Sequence, residues 1–180
     1  MFLYLHYTAL YDNITAMINT IKTNIEKSLG TFIKCLDNEY ALRRISPLLF
    51  SSLRDYVLRP GKRVRPILFI IGHRGFKVRQ PQGLYTSALS LELLHDFMLV
   101  HDDIIDKSPL RRGKPAMHTM LTEYLHTFKS ITFSGEDLAI VLGDVMYALG
   151  LQAFLTVRVS LKNKERALKK LIDAAIYTGC

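Results

Sequence analysis

Few cysteines, a long central stretch without an acid, and no alternating hydrophobic pattern set the first limits on this sequence. The two cysteines, Cys35 and Cys180, stand far apart, which excludes a disulfide framework and a paired-ligand zinc pattern and fits a reducing, cytoplasmic setting. No run of period-two alternation demands a sheet. No internal repeat, low-complexity tract or linker divides the chain, so residues 1–180 are expected to form a single helical domain. Met1 to Leu10 is apolar but lacks the Lys/Arg-bearing start of a secretory signal, so no export signal is read. No Asp or Glu occurs from Tyr56 to Leu91, whereas Arg59, Lys62, Arg63, Arg65, Arg74, Lys77 and Arg79 crowd into that stretch. With a net charge of +8 and a pI near 9.5, the surface favours anions: phosphates, nucleic acid or acidic lipid.

What is present reads as helices, and the class is all-α. Asp12 to Leu29 carries Ile14, Met17, Ile18, Ile21, Ile25 and Leu29 at helical spacing, with Gly30 placed as a stop. A second helix starts at Ser46-Pro47, a cap followed by proline in the first turn, and ends before Pro60-Gly61. A third runs from Pro66 to about Phe76 and a fourth from about Leu84 to Asp106, joined by Gln80-Pro81-Gln82-Gly83. Arg111-Arg112-Gly113-Lys114-Pro115 reads as a basic loop before a short helix to about Phe128. Ser134 and Asp137 form a capping box for an apolar helix reaching Val157, and Lys162 to Tyr177 is the last. Leu138 to Val157 is long enough to span a bilayer. Asp144 near its middle makes that costly, so a buried bundle helix with no membrane span is expected.

The fourth helix ends in an acidic turn, His101-Asp-Asp-Ile-Ile-Asp106. At 100° per residue, His95 lies about 20° from Asp102 and Asp106 about 40° on the other side, while Asp103 is rotated away. These carboxylates repel one another, and nothing in the local helix supplies a cation at the right spacing. Mg²⁺ uses one or two carboxylates plus phosphate oxygens, which suits Asp102 and Asp106 one turn apart and implies a phosphorylated substrate. The plainer alternative is a solvated acidic helix end.

Two basic segments could hold that phosphate. Gly61-Lys-Arg-Val-Arg-Pro66 sits at a helix entrance, where free N–H groups and the dipole favour anions, although it is not a Walker A loop. Arg111-Arg112-Gly113 follows the acidic turn closely enough to reach a diphosphate held there. Each could equally be a solvated surface, and His95 or His101 could be a satisfied core histidine.

In order and spacing, Gly61-Lys-Arg-Val-Arg-Pro66, Glu92-Leu-Leu-His95, His101-Asp-Asp-Ile-Ile-Asp106, Arg111-Arg-Gly-Lys-Pro-Ala-Met-His118 and Leu142-Gly-Asp144 together resemble the trans-isoprenyl diphosphate synthases, the polyprenyl synthetase family. The resemblance runs from about Ser46 to the end and implies an isoprenoid-synthase-type helical bundle, of which this chain is roughly the first half. It implies a prenyltransferase that joins isopentenyl diphosphate to an allylic prenyl diphosphate with Mg²⁺ as cofactor. By resemblance, Asp102, Asp103 and Asp106 form the first aspartate-rich motif, Asp102 and Asp106 bind the metal, and Arg111 contacts the allylic diphosphate. Lys62, Arg65, His95 and Arg112 hold isopentenyl diphosphate. Phe97 and Met98, shortly before Asp102, bear on chain length and suggest a geranylgeranyl- or farnesyl-type product. A homodimer is implied as well.

The family's second aspartate-rich motif lies far downstream of the first, and the acids after Asp106, namely Glu123, Glu136, Asp137, Asp144, Glu165 and Asp173, do not form one. The chain alone is therefore expected to be inactive or weak, a part of a larger catalytic unit. Other readings remain: a longer-chain synthase, a non-catalytic subunit of a heteromeric synthase, a phosphohydrolase using His95-Asp96 and His101-Asp102, or a basic module for acidic lipid or nucleic acid.

Overall fold

A computed structural model describes residues 2–76, 79–128 and 130–179, with side chains described from Tyr11 to Thr178; Lys77 and Cys180 fall outside the described residues. The elements are α1 (Phe2–Tyr40), α2 (Leu42–Ile45), α3 (Pro47–Val57), α4 (Val64–Phe76), α5 (Leu84–Ile105), β1 (Leu110–Arg111), β2 (Lys114–Pro115), α6 (Met117–Leu125), α7 (Gly135–Leu155) and α8 (Leu161–Gly179). The fold is all-α apart from the two-residue strands.

The centre is α5, packed against α7, α4, α1 and α6. Its Leu84, Ala88, Leu89, Leu93 and Val100 are buried at helical spacing, and they meet Ile21, Ile25 and Leu29 of α1, Ile67 and Ile70 of α4, Met117 and Leu121 of α6, and Leu142 and Met146 of α7 in one core. The acidic turn at the end of α5 is thus carried on the most enclosed helix.

Helix α1 does not stop at Gly30. Phe32, Ile33 and Leu36 extend the buried stripe of Ile25 and Leu29, and burying them outweighs the roughly 1 kcal/mol that an interior glycine costs. The helix ends at Tyr40, where Ala41 turns left-handed at φ 52°. Other punctuation agrees with the sequence. Ser46 Oγ accepts from Leu49 N at 3.4 Å with Pro47 in the first turn of α3. Ser134 Oγ accepts from Asp137 N at 3.0 Å while Asp137 Oδ2 accepts from Ser134 N at 2.8 Å, so the capping box forms with Asp in place of Glu.

By length and composition α7 is the one helix among the described residues fit to cross a membrane, with 44% of its most apolar window buried inside the chain. Gly135, Ala139, Leu142, Gly143, Met146, Gly150 and Ala153 make a continuous buried stripe against α5 and α6. Asp144 lies off that stripe, its side chain 69% exposed.

Candidate functional site

The last turn of α5 brings three carboxylates to the negative end of a helix dipole, a place that disfavours them unless cations come. One cation comes from outside the helix. Asp103 is fully buried, and Arg111 Nε donates to its two oxygens at 2.9 and 3.1 Å while Nη2 donates to Oδ1. The local helix supplies no cation, as its sequence indicates; Arg111 of the following loop does so for Asp103, whose rotation off the Asp102–Asp106 stripe aims it there. That hydrogen bonding holds the Arg111 guanidinium still more firmly in its charged form. Nη1 of Arg111 makes no hydrogen bond among the described residues.

Asp102 and Asp106 are exposed, one turn apart, and have no ion-pair partner among the described residues. Two free hard oxygen donors at a helix end are what Mg²⁺ takes from a protein when phosphate supplies its other ligands. Among the described residues no group of three His, Cys, Asp or Glu could hold a metal by itself. The His–Asp pairs do not converge: Asp96 faces Arg112, and His101 faces Asp144.

The second part is a cleft of about 630 Å³ between the α3–α4 loop and α5, lined by Lys22, Lys62, Arg65, Glu92, His95 and Arg112 among others. All four residues assigned to isopentenyl diphosphate by resemblance, Lys62, Arg65, His95 and Arg112, line this one cleft. Lys22 of α1 joins them unforeseen. Burial and then the charge of Arg65 push the His95 imidazole below its ordinary pKa, so it is neutral at neutral pH.

Arg63 determines the loop's path, and nothing in the sequence motifs gave it a role of its own. It has φ 51° and is 1% exposed. Nε donates to Glu26 Oε1 at 2.8 Å, Nη1 to Glu92 Oε1 at 2.7 Å, and Nη2 to the carbonyls of Val57 and Arg59 at 3.2 and 2.8 Å. Turning Arg63 inward leaves Lys62 and Arg65 outside, facing the cleft. The signal for it was two acids, Glu26 and Glu92, within the apolar stripes of α1 and α5, where a buried cation has to compensate them.

The basic loop is a tight hairpin. Leu110 pairs with Pro115 and Arg111 with Lys114, and Arg112 and Gly113 have φ 54° and 73°, positive at both central positions as a type I′ turn requires. Arg59 Nη1 donates to Pro115 O at 2.8 Å and Lys114 Nζ to Asp55 Oδ1 at 3.4 Å, fastening the hairpin to α3. It delivers Arg111 to Asp103 and Arg112 to the cleft, where Arg112 Nη2 stands 3.5 Å from Asp96 and 3.8 Å from Glu92. Gly61 admits it, since a Cβ there would come within 3.3 Å of Arg112 Nη1.

Phe97 and Met98 line a smaller apolar pocket of about 260 Å³ with Leu91, Leu94, Tyr147 and Leu171, and Arg65 and His95 border both spaces. The Phe97 ring meets Tyr147 edge-on at 5.3 Å and His101 at 4.7 Å. His101 Nδ1 lies 3.0 Å from Phe97 O, and Gly143 lets its ring rest against α7, where a Cβ would overlap it. His101 Nε2 is then 3.9 Å from Asp144 Oδ1, so the Leu142-Gly-Asp144 element sets a further carboxylate beside the acidic turn.

A family model described as Polyprenyl synthetase matches residues 46–179. The chain is 30% identical over 132 residues to a short chain isoprenyl diphosphate synthase of Methanocaldococcus jannaschii, covering 73% of this chain and 36% of that protein. It is similar in structure to a geranylgeranyl pyrophosphate synthetase of Pyrococcus horikoshii, with TM-score 0.70 and 26% identity over 91% of this chain and 43% of that one. A geranylgeranyl pyrophosphate synthase of Corynebacterium glutamicum, solved with isoprenyl diphosphate and magnesium, shares the fold at TM-score 0.65 and 24% identity, over 77% of this chain and 41% of that one. The chain spans little more than a third of the length of the curated relatives it matches.

Proposed function

This chain belongs to the polyprenyl synthetase family, and from that premise we propose that it is the front part of a prenyl diphosphate synthase, condensing isopentenyl diphosphate with an allylic prenyl diphosphate. The observation that carries this reading is the convergence of Lys62, Arg65, His95 and Arg112 on one cleft, with the Asp102–Asp106 pair on the same helix as His95. One site is lined by cations and needs no metal. The other presents two free carboxylates and needs one.

In this reading Asp102 and Asp106 would hold Mg²⁺, which when bound would supply positive charge toward the allylic diphosphate. Asp103 orients Arg111, whose Nη1 makes no hydrogen bond among the described residues and is left to donate to the same anion. Lys62, Arg65 and Arg112 bind the isopentenyl diphosphate, and neutral His95 donates a hydrogen bond to it. That diphosphate is thereby fixed with its double bond near the allylic carbon, and bringing the two together is a large part of the rate. The apolar walls around Phe97, Met98 and Tyr147 take the growing chain and exclude water from the allylic cation. The proton lost on closing the new double bond goes to the released pyrophosphate. Relatives of geranylgeranyl type and the bulk of Phe97 support a product of that length.

We further propose that residues 1–180 bind both substrates but turn over weakly unless the family's second aspartate-rich motif is supplied. The expected cytoplasmic location, the absence of a membrane span and a homodimer belong to the same proposal, and sedimentation velocity tests the last. The function is tested with labelled isopentenyl diphosphate. The folded chain should bind it without Mg²⁺, should lose about tenfold or more of that affinity in Lys62→Ala or Arg65→Ala, and should incorporate little label alone. No binding by a folded chain would contradict the assigned chemistry. Brisk incorporation would contradict only the dependence on a second motif.

A further inference from the structure

Arg63, Arg111 and Arg112 are held very differently. Arg63 makes five hydrogen bonds, and Arg111 is clamped through two nitrogens. Arg112 is only parked: its Nη2 stands 3.5 Å from Asp96 Oδ1, the outer limit of a hydrogen bond, and 3.8 Å from Glu92 Oε1, with its side chain 24% exposed at the cleft. Glu92 is already committed to Arg63 at 2.7 Å. Asp96 is fully buried, and its Oδ2 has no hydrogen-bond partner. Tyr56 Oη, in the same buried layer and within reach of the Asp96 charge, has none either.

The geometry points to Asp96 as a positioning residue for Arg112, holding the guanidinium beside the cleft by charge and yielding it to an incoming diphosphate while Asp96 takes a proton from solvent. This rests on the cleft being a diphosphate site. A buried carboxylate whose one loosely held cation turns to another anion does not stay charged, because an uncompensated charge in the interior costs more than protonation. Burial and then the neighbouring Glu92 already lift the Asp96 carboxyl to about 7. The opposing pulls come from Arg112 on the hairpin and from Arg63 and Arg65 beside α4, while α3 presents Tyr56, kept neutral by burial and by Asp103 and Asp96. A bound diphosphate weakens the pull of Arg112 and adds a like charge, and both changes raise Asp96 further. Binding above pH 7 therefore consumes a proton, which lands on the orphan Oδ2.

The test is calorimetry of the 180-residue chain with inorganic pyrophosphate, without metal, at pH 8 and pH 6 in buffers of different ionisation heat. At pH 8 the wild type should take up about half to one proton more than Asp96→Asn, since the titrations of His95 and of pyrophosphate are common to both. Asp96→Asn should bind about three- to tenfold more tightly than wild type at pH 8 and equally at pH 6. Arg112→Gln should bind more weakly and lose the extra uptake, which decides the matter if circular dichroism shows Asp96→Asn unfolded. Equal proton numbers in all folded chains, or no tightening at pH 8, would overturn the role of Asp96 alone. Failure of the wild type to bind pyrophosphate would overturn both it and the assignment of the cleft.

Discussion

Arg63 and Asp96 are both buried beside the cleft, and each makes a stability prediction. Replacing Arg63 by Met leaves Glu92, 3% exposed, without its main cation, and should cost about 3–5 kcal/mol, read from the denaturant midpoint. A loss under about 1 kcal/mol would mean that water or Arg112 compensates Glu92 instead. For Asp96 the folded carboxyl, near 7, lies above its unfolded value. The native state then binds more protons than the unfolded one, so this group's contribution is intact below about pH 4 and is lost as pH rises to about 7. His95, pushed down by burial and Arg65, acts with the opposite sign as pH falls below the ordinary imidazole value. Asp96→Asn should therefore gain stability relative to wild type between pH 5 and pH 7.5, measured as the difference of two denaturation curves. A constant difference across that range would contradict the shift. At this scale the shared cleft of Lys62, Arg65 and Arg112 was legible from charge clustering and motif order, and that of His95 from motif order alone. Arg63 was not, because which of three neighbouring cations turns inward is decided by one backbone angle and two distant acids.

Helix starts that carry their own signal were readable, and α5 was readable from its apolar periodicity without a side-chain cap. The starts of α3 and α7 carry their own signals in Ser46-Pro47 and in Ser134 with Asp137. The length of α1 was misjudged because glycine is a weak stop when Phe32, Ile33 and Leu36 beyond it have a core to enter. Gly30 is exposed, and a methyl group added at its Cα would meet nothing within 4 Å beyond the backbone of its own helix turns, so Gly30→Ala should stabilise the chain by about 0.5–1 kcal/mol in thermal or denaturant unfolding. Destabilisation there would mean that α1 breaks at this point after all. The α5–α7 contact gives the opposite expectation. A Cβ at Gly143 overlaps the His101 ring, which is fixed by Phe97 O and by the Phe97 ring, so Gly143→Ala should cost about 1–3 kcal/mol. A neutral result would show that His101 swings free. The hairpin at Leu110–Pro115 escaped the sequence because its strands are two residues long, too short to show any alternation.

For the whole molecule, α5 joins the parts: it passes through the core, lines the cleft with Glu92 and His95, the apolar pocket with Phe97 and Met98, and ends in the acidic turn. The all-α class was readable from apolar periodicity, and the family from motif order. The helix wheel already set Asp103 apart from Asp102 and Asp106; that Arg111 is what Asp103 holds needed the three-dimensional structure. In the proposed function one chain carries two diphosphate sites side by side, one independent of metal and one requiring it. Titrating the folded chain with inorganic pyrophosphate by calorimetry, first without and then with Mg²⁺, tests this most directly. One site is expected without metal and should be lost in Lys62→Ala/Arg65→Ala, and a second should appear with Mg²⁺ and be lost in Asp102→Ala/Asp106→Ala. A titration indifferent to Mg²⁺ and to both double substitutions would contradict it.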